Sequence, residues 1–414
     1  MRGDWPVKTL DELCNIARGG SPRPIKEFLT DAPDGVNWIK ISDATASSKY
    51  IYETKQKIKP EGIRRSRMVH SGDFLLSNSM SFGRPYIMRT SGCIHDGWLV
   101  LGNISEELDQ DYLYHFLGSP EAYQQFNDRA AGSTVRNLNI DLVRSVQVPV
   151  PPIDAQKRIV AILDEAFEGI DKAVANAEKN LANARELFES YLNNIFTQKS
   201  KGWGDRKFKD VCNFIRGPFG GSLKKSCFVS EGYAVYEQQH AINDQFDRIR
   251  YYIDEHKFQE MKRFELRSGD LIMSCSGTMG RVAIVPDGAK RGIINQALLK
   301  LSPEKGLVAE FLKYWMESET FQDQINMHSK GAAIKNVASV KVLKEIDVPC
   351  PSVDVQYEMV SKLNEFNSNS RHLENIFRQK LDALAQLKQS ILQKAFSGEL
   401  TADDTETIKD EAVA

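Results

Sequence analysis

Residues 148–196 read VPVPPIDAQKRIVAILDEAFEGIDKAVANAEKNLANARELFESYLNNIF, and residues 348–396 read VPCPSVDVQYEMVSKLNEFNSNSRHLENIFRQKLDALAQLKQSILQKAF. The second stretch repeats the Pro-x-Pro start, the Asp-x-Gln that follows it and the final Phe at a displacement of 200. Apolar residues spaced by threes and fours predict that each copy is one long helix with a narrow apolar seam. Proline cannot sit inside such a helix, so each helix should begin after its Pro-x-Pro segment, with Asp154 placed to cap the first. The duplicate helix is the expected partner for each seam.

The predicted seam defines which side of each helix should be buried. At about 1.5 Å rise per residue, roughly 44 residues make a rod of about 65 Å. The first seam consists of Ile159, Leu163, Ala166, Ile170, Val174, Ala177, Leu181, Ala184, Phe188, Tyr191 and Ile195. The second consists of Met359, Leu363, Phe366, Ser370, Leu373, Phe377, Leu381, Leu384, Leu387, Ile391 and Ala395. The residues expected to pair the helices are Leu163, Ile170, Leu181, Phe188, Leu363, Leu373, Leu384 and Ile391.

Composition sets the broad class of the protein. With 414 residues, 41% hydrophobic and 27% charged, the chain is long enough for two or three globular units. It has no apolar run of 18 or more residues and no charged-then-apolar leader, so we expect a cytoplasmic protein. The six cysteines form no CxxC pair and the seven histidines no HxxxH or HxH spacing, so no metal site is expected.

The repeat extends beyond the helices. Four blocks match in register: residues 5–19 with 203–217, 71–77 with 268–274, 83–84 with 280–281, and 131–137 with 330–336. Such self-similarity predicts a duplicated protein. Within its halves, short apolar runs at 36–42, 73–77, 98–101 and 146–150 predict strands, and residues 111–122 and 307–319 predict helices.

Three pairs of loops are rich in Gly, Ser, Asn and Arg. They span residues 18–24, 77–84 and 130–139, with counterparts at 216–225, 274–281 and 330–337. Glycine lets a backbone approach a ligand closely, and Arg or Lys can meet a phosphate or a guanine edge. We therefore expect these loops to bind DNA. The expected DNA contacts are Arg18, Arg23, Asn78, Ser79, Arg84, Ser133, Thr134, Arg136, Asn137, Arg216, Lys224, Ser276, Thr278, Arg281, Lys335 and Asn336.

Catalytic motifs are sparse. The chain has no GxxxxGK[ST] phosphate loop, no GxGxxG after a strand and no Asn-Pro-Pro-aromatic motif. Pro33-Asp34 followed by Glu53-Thr54-Lys55 fits a loose nuclease pattern, but the second half lacks it. Two other functions stay open at this stage: a self-contained nuclease or methyltransferase with duplicated DNA-binding domains, and a coiled-coil protein adaptor. Cleavage or methyl transfer by the chain alone would identify the first, and a lack of sequence-selective DNA binding the second.

Three segments carry a resemblance to a known family. They are LKQSILQKAFSGEL at 387–400, Pro-Pro-x-x-x-Gln at 151–156 with its weaker copy at 351–356, and VYEQQH at 235–240. With the repeat, they make the chain resemble the DNA specificity (S) subunit of a type I restriction-modification system. Ser352 stands where the first copy has Pro152, which puts the rigidity of the second helix start in question.

The resemblance implies an α+β fold, with two tandem α/β target recognition domains separated by two long antiparallel coiled-coil helices and related by an internal pseudo-twofold repeat. The expected domains are 1–150 and 200–350 for target recognition, 151–199 and 351–400 for the helices that space them, and 401–414 for an acidic, disordered tail.

The resemblance also implies the function and the partners. The chain would be non-catalytic, would bind no cofactor directly and would read a split, asymmetric site in double-stranded DNA. The helices would dock two copies of an adenine-N6 methyltransferase (modification) subunit, and restriction/translocase subunits could then join. S-adenosylmethionine, ATP and Mg²⁺ would belong to those partners. From the repeat, we expect half-sites about one helical turn apart, with an unread spacer of roughly 5 to 8 bp.

Overall fold

The structure is a computed structural model that describes residues 5–45, 49–78, 83–130, 138–198, 203–219, 221–327 and 340–401. The chain divides into two compact units. Unit 1 comprises Met1–Ala177 and Gln379–Ala414, and unit 2 comprises Glu178–Arg378. Each of two long helices contributes one part to unit 1 and the other part to unit 2. Within the described ranges, no helix has the length and apolar character needed to cross a bilayer.

Unit 1 mixes short strands with helices. Its strands are β1 (Val7–Thr9), β2 (Asn15–Arg18), β3 (Leu29–Thr30), β4 (Val36–Ile39), β5 (Tyr50–Ile51), β6 (Gln56–Ile58), β7 (Arg67–Val69), β8 (Phe74–Ser77), β9 (Pro85–Met88), β10 (Gly92–Ile94), β11 (Trp98–Gly102) and β12 (Gln147–Pro149). Its helices are α1 (Leu10–Leu13), α2 (Ile25–Phe28), α3 (Ile41–Thr45), α4 (Gln110–Leu117), α5 (Pro120–Ala130), α6 (Ile140–Arg144) and the first part of α7 (Ile153–Thr197).

Unit 1 contains two five-stranded sheets, with the strand orders β2-β11-β8-β9-β5 and β3-β6-β4-β10-β7, and the two-stranded sheet β1-β12. The first sheet is covered on both faces. Along β8, Phe74 and Leu76 join one apolar cluster with Phe116 of α4, while Leu75 joins another with Trp98. Because side chains alternate along a strand, this run of buried residues packs two layers at once.

Unit 2 repeats this plan with fewer strands. Its strand orders are β14-β20-β17-β18 and β16-β15-β19, which correspond to β2-β11-β8-β9 and β6-β4-β10 of unit 1. Its strands are β13 (Gly204–Lys207), β14 (Cys212–Arg216), β15 (Tyr233–Tyr236), β16 (Tyr251–Ile253), β17 (Leu271–Ser274), β18 (Val282–Ile284), β19 (Gly292–Ile294), β20 (Leu298–Pro303) and β21 (Asp347–Cys350). Its helices are α8 (Gln238–Asn243), α9 (Glu255–Glu260), α10 (Ala309–Glu317), α11 (Glu319–Met327), α12 (Val340–Leu343) and part of α13 (Val353–Ser397).

One of the two shorter helices predicted from the sequence is broken into a pair, because residues 111–122 fall in α4 and α5. The helix predicted at 307–319 corresponds to α10 and extends past it only to Glu319, the first residue of α11. In unit 1 the break lies at Gly118 and Ser119, and Pro120 opens the next helix, where its missing N–H costs nothing. The strand predicted at 36–42 also ends early, because α3 begins at Ile41.

Both long helices begin directly after their proline segments. Helix α7 starts at Ile153, so Asp154 lies within the first turn and is not the cap that the sequence predicted. A carboxylate in the first turn still interacts favourably with the helix dipole. In both copies the side chain at the variable position, Pro152 or Ser352, is exposed, and its carbonyl accepts from the N–H of Gln156 or Gln356. The exchange of Pro for Ser therefore leaves the start of the helix unchanged.

The long helices pair antiparallel within each unit. In unit 2, Tyr191 of α7 stacks on Phe366 of α13 with ring centroids 4.4 Å apart, and the Ser370 hydroxyl donates to the carbonyl oxygen of Ala184 at 2.5 Å. In unit 1, the Lys388 ammonium lies 3.2 Å from the carboxylate of Asp171. Of the predicted pairing residues, Leu163, Ile170 and Leu363 are buried, and Leu181, Phe188, Leu384 and Ile391 are half-buried.

The seam of α13 departs from the prediction at two leucines. Leu373 and Leu387 are 39% and 47% exposed. Glu374 is less exposed than Leu373 and forms an ion pair with Arg185 of α7 at 3.0 Å. Lys388, next to Leu387, makes the cross-helix contact in unit 1. Glu374 and Lys388 occupy these seam positions because each forms an ion pair with a residue of opposite charge on the facing helix.

Candidate nucleic-acid interface

Four strands of unit 1 end at one edge. The loops that follow β2, β8 and β10 are joined by main-chain bonds from Gly19 N to Trp98 O, Gly20 N to Ile94 O, and Asn78 N to Gly97 O. The fourth strand, β4, ends beside them, because the indole N–H of Trp98 donates to Ile39 O at 3.2 Å. We call these strand-end segments, residues 19–24, 40–43, 78 and 95–97, the loop edge of unit 1. Ligands of α/β proteins commonly bind at such strand ends.

Asp96 is the centre of this loop edge. Its carboxylate accepts from the Ser21 hydroxyl at 2.6 Å and pairs with the Arg23 guanidinium at 3.2 Å. Its carbonyl oxygen accepts from Arg18 Nε and from Asn78 Nδ2, both at 2.9 Å. The Ser21 bond is the largest cause that holds the pKa of Asp96 below its usual value. Three expected DNA contacts, Arg18, Arg23 and Asn78, therefore meet around one residue, with Arg23 at its carboxylate and the other two at its carbonyl oxygen.

The glycine after the first strand is required in both units. A Cβ atom on Gly19 would lie 2.1 Å from the carbonyl oxygen of His95, and one on Gly217 would lie 1.8 Å from that of Asn295. Real Cβ atoms do not approach an oxygen so closely, so only glycine allows this contact. The repeated Arg-Gly of the sequence thus has a structural reason in addition to its charge.

Unit 2 builds the same loop edge from different side chains. Its frame is given by main-chain bonds from Gly217 N to Leu298 O and from Cys275 N to Ala297 O. The position of Asp96 is taken by Gln296, which is exposed. Instead, the hydroxyl of Ser276 donates to Oε1 of Gln238 at 3.1 Å. The loop edge of unit 2 comprises residues 217–219, 237–240, 275–278 and 295–297.

Three more of the expected contacts of unit 2, Arg216, Lys224 and Thr278, are exposed. Arg216, at the end of β14, lies against Cys275, whose pKa burial raises to about 11 although the guanidinium opposes the rise. Lys224 and Thr278 are exposed, and the carbonyl of Thr278 accepts from Ser274 Oγ at 2.7 Å. Thr278 within the edge and Arg216 directly before it thus offer a hydroxyl and a cationic group to solvent.

Arg84 and Arg281 lie in a different environment from the other expected DNA contacts. Each donates its backbone N–H to the serine that ends the preceding strand, Ser77 or Ser274, at 3.0 Å. Their side chains line grooves beside the long helices, of 340 Å³ in unit 1 and 520 Å³ in unit 2. The Arg84 guanidinium lies 5.3 Å from the ring centre of Tyr86. The structure therefore places these arginines in grooves that include the helices rather than in the Asp96 and Gln238 clusters.

Seven expected contacts lie outside the described residues. They are Ser79, Ser133, Thr134, Arg136, Asn137, Lys335 and Asn336.

The sequence reasoning overlooked several residues of the loop edges. Asp96 and Gln238 organise them, and a basic segment adjoins the loop edge of unit 1. In unit 1, Arg67 Nε donates to Arg18 O at 2.8 Å, and the carbonyl of Arg65 packs against Gly20. The signal was the basic run IRRSR at 63–67, which has a counterpart, MKRFELR, at 261–267.

The described side chains offer no sign of metal chemistry. Within the described ranges, no group of three or more His, Cys, Asp or Glu residues is arranged to hold a metal ion. Burial raises the pKa of the thiols of Cys14, Cys93, Cys212, Cys275 and Cys350, which disfavours the nucleophilic thiolate. The loop edges are therefore built from groups that bind by charge and hydrogen bonding.

Comparison with known protein families identifies the family of this chain. The family model of the type I restriction modification DNA specificity domain matches twice, at residues 2–179 and 200–382. The chain belongs to this family. The membership confirms the resemblance found in the sequence, and the chain is a non-catalytic DNA specificity subunit with two tandem specificity domains.

Named relatives span nearly the whole chain. The EcoBI specificity subunit of Escherichia coli is 24% identical, over 97% of this chain and 87% of its own length. The MjaVIII specificity subunit of Methanocaldococcus jannaschii is 20% identical, over 96% of this chain and 93% of its own length.

Solved structures share the fold. One, described as the "Structural basis underlying complex assembly and conformational transition of the type I R-M system", is 20% identical with a TM-score of 0.79 and covers 95% of this chain and 98% of its own. The HsdS subunit from Thermoanaerobacter tengcongensis is 19% identical with a TM-score of 0.60 and covers 96% and 98%. The predicted α+β fold with two long helices is confirmed.

Proposed function

We propose that the specificity subunit reads a bipartite, asymmetric site in double-stranded DNA, with one loop edge for each part. The proposal rests on one observation: the two loop edges share a pattern of main-chain hydrogen bonds but carry different side chains. Both loop edges are closed by equivalent main-chain bonds around Gly19 or Gly217, yet Asp96 organises one edge and Gln238 stands in the other. Equal frames suit equal docking on a duplex, and unequal side chains suit unequal base sequences.

Cationic side chains in both units support DNA as the ligand. The Arg23 side chain is 80% exposed despite its ion pair with Asp96, so its guanidinium is open to a phosphate or a base. The adjoining run at 63–67 adds three arginines beside the loop edge of unit 1, and Lys262 and Arg263 are exposed in unit 2. Local basic patches of this kind give DNA affinity even in a chain whose net charge is only −2.

Two equivalent leucines support two copies of one partner. Leu187 and Leu387 occupy the same position of the repeat on α7 and α13, and they are 52% and 47% exposed. An exposed leucine on each copy of a helix offers an apolar point that a partner can cover. We propose that each docks one copy of the adenine-N6 methyltransferase (modification) subunit, to which restriction/translocase subunits add. S-adenosylmethionine, ATP and Mg²⁺ then act in those partners.

The domain limits follow as part of the proposal. Residues 1–150 and 200–350 serve as target recognition domains, residues 151–199 and 351–400 space them, and the cytoplasm is the site of action. The acidic stretch at 402–414 lies outside the described residues.

Methylation sequencing of DNA tests the proposed function. The chain is co-expressed with its modification subunit, and methylated adenines are sequenced after incubation with S-adenosylmethionine. We expect a motif in two different parts, separated by a spacer of roughly 5 to 8 bp. A continuous or palindromic motif would contradict bipartite reading. The chain without the modification subunit is the control, and it should neither methylate nor cut DNA.

A further inference from the structure

Gln238 is the side chain of unit 2 with the geometry of a base reader. It is the first residue of α8, two residues after the end of β15, and it is half-buried at the loop edge. Its Oε1 accepts from the Ser276 hydroxyl at 3.1 Å, and Ser276 belongs to the loop after β17. A side chain that bridges two strand-end loops at this edge is oriented by the protein before any ligand arrives.

The backbone beneath Gln238 is held rigidly by a buried histidine. His240 is 1% exposed, and its Nδ1 accepts from the N–H of Glu237 at 2.8 Å. Its Nε2 lies 3.1 Å from the carbonyl oxygen of Arg248, and its ring contacts Tyr236 edge-on with centroids 5.1 Å apart. Both ring nitrogens are therefore engaged, which fixes the start of α8. A reading group gains discrimination when its supporting residues are locked in this way.

Unit 1 has no side-chain amide at the position equivalent to Gln238. The strand that corresponds to β15 is β4, and the residue that follows it by the same count is Ile41, which is buried in an apolar cluster. Asp43 repeats the role of His240, because its Oδ2 accepts from Lys40 N at 3.0 Å. In both units a buried side chain thus holds the segment after the strand, through Asp43 or His240. Only unit 2 carries a side-chain amide at the position of Gln238. A difference confined to the projecting side chain is the pattern that distinguishes two half-sites.

We propose that Gln238 is a specificity-determining residue that reads an adenine in the part of the DNA site recognised by unit 2, with Ser276 as its positioning residue. A glutamine amide presents one acceptor and one donor side by side, which match the N6 amino group and N7 of adenine in the major groove. The Ser276 hydroxyl occupies one lone pair of Oε1, so the second lone pair faces the base with Nε2 beside it. The inference rests on the proposed function, since it assigns one base to one of the two loop edges.

The test compares the methylated motif of three complexes, each assembled from the full chain and the modification subunit. Gln238→Met keeps the length of the side chain and removes the amide. It should relax one A·T position in one part of the motif, with roughly a 5- to 150-fold loss of discrimination at that position. Gln238→Glu offers acceptors alone and should shift the same position towards a cytosine, whose N4 amino group donates. Gln259→Met, on the outer helix α9 where Gln259 bonds Glu255, is the matched control and should leave the motif unchanged.

The outcomes separate this inference from the proposed function. An unchanged motif in both Gln238 variants would overturn the assignment of Gln238 while leaving bipartite reading intact. A wild-type complex without a two-part motif would instead contradict the proposed function. If Gln238→Met modifies no DNA, the Ser276→Ala variant decides, because it retains the glutamine: a weakened preference at a single A·T position supports the proposal, and an unchanged motif overturns it.

Discussion

The side chain of Gln156 accepts a hydrogen bond of 2.8 Å from the backbone N–H of Asp109. Its amide Nε2 donates to the carbonyl oxygens of Glu107 at 2.8 Å and Pro151 at 2.7 Å. With no exposed surface, this amide joins the segment before α4 to the start of α7. Gln356 makes the same three bonds in unit 2. The repeated glutamine of the Pro-x-x-x-x-Gln motif therefore fixes each long helix to its own domain.

Replacing Gln156 by Met should destabilise unit 1. The thioether fills similar space but leaves the N–H of Asp109 and the carbonyls of Glu107 and Pro151 without their partner. Losing a fully buried partner costs about 1 to 3 kcal/mol, and the bonds to Asp109 and Glu107 are only partly buried, so we expect a total of roughly 2 to 5 kcal/mol. Urea unfolding measures the change. Gln389→Met, at an exposed position of α13, is the control and should alter stability by less than about 0.5 kcal/mol. Equal stability of the two variants would show that the Gln156 bonds contribute little.

The sequence predicted the two long helices well because their apolar period and proline limits are local properties. It assigned Leu373 and Leu387 to the wrong face. Leucines at 384 and 387 both satisfy a spacing of three or four, so the pattern alone does not choose between them. The structure uses Glu374 and Lys388 at the seam, and each depends on a charge of α7 that lies about 200 residues away in the chain. Such pairing is set by the fold rather than by local pattern.

The loops of the interface were predicted, but their internal order was not. Arg18, Arg23 and Asn78 carry the expected composition of a binding loop, and they do converge. Asp96 was missed because a lone acid between His95 and a glycine gives no periodic or repeated signal. Its role arises only when β10 ends beside β2 and β8, which is a consequence of strand order.

The stability of unit 1 should fall as the pH is lowered from about 7 to 5. Burial is the largest cause that lowers the pKa of His115, and the bond of its Nε2 to Asp164 at 2.8 Å opposes the shift. The unfolded chain, with an ordinary histidine pKa of about 6.5, therefore binds the proton more readily than the folded chain. The stabilisation is complete above about pH 6.5 and is lost as the pH falls towards the lower, folded pKa.

Unfolding measured at several pH values checks this dependence. His115→Leu should flatten the slope, which for one proton is at most about 1.4 kcal/mol per pH unit. His372→Leu, an exposed site on α13, is the control and should keep the wild-type slope. A slope unaffected by His115→Leu would assign the dependence to other groups.

Arg23→Ala should weaken DNA binding by the complex. The Arg23 guanidinium is largely exposed at the loop edge and is anchored by Asp96. If it meets a phosphate, its loss should reduce the slope of log affinity against log salt by about 1, and if it reads a base, it should cost about 1 to 3 kcal/mol at one position. Fluorescence anisotropy at several salt concentrations distinguishes these results. Lys26→Ala removes an exposed cation on α2 and serves as the comparison. If Arg23→Ala keeps both the DNA affinity and its salt dependence, Arg23 lies outside the interface.

Glutamate at Leu187 or Leu387 should remove one partner subunit and leave the fold intact. Both leucines are about half exposed, so a carboxylate there remains solvated in the free chain and should change its stability by less than about 0.5 kcal/mol. In a complex the same carboxylate would be buried against an apolar surface without a partner, which costs several kcal/mol. Native mass spectrometry should therefore show one modification subunit with either single variant and none with the double variant.

The control for docking is Leu373→Glu, because Leu373 is similarly exposed and its counterpart in the repeat is Ala173. Two identical partners require equivalent contacts, so a leucine found in one copy of the repeat alone should be dispensable. We expect this variant to retain both partner subunits. If the Leu187 and Leu387 variants also retain two copies at the wild-type affinity, the docking surface lies elsewhere on the chain. If a single variant loses both copies, the two docking events depend on each other rather than on separate, equivalent leucines.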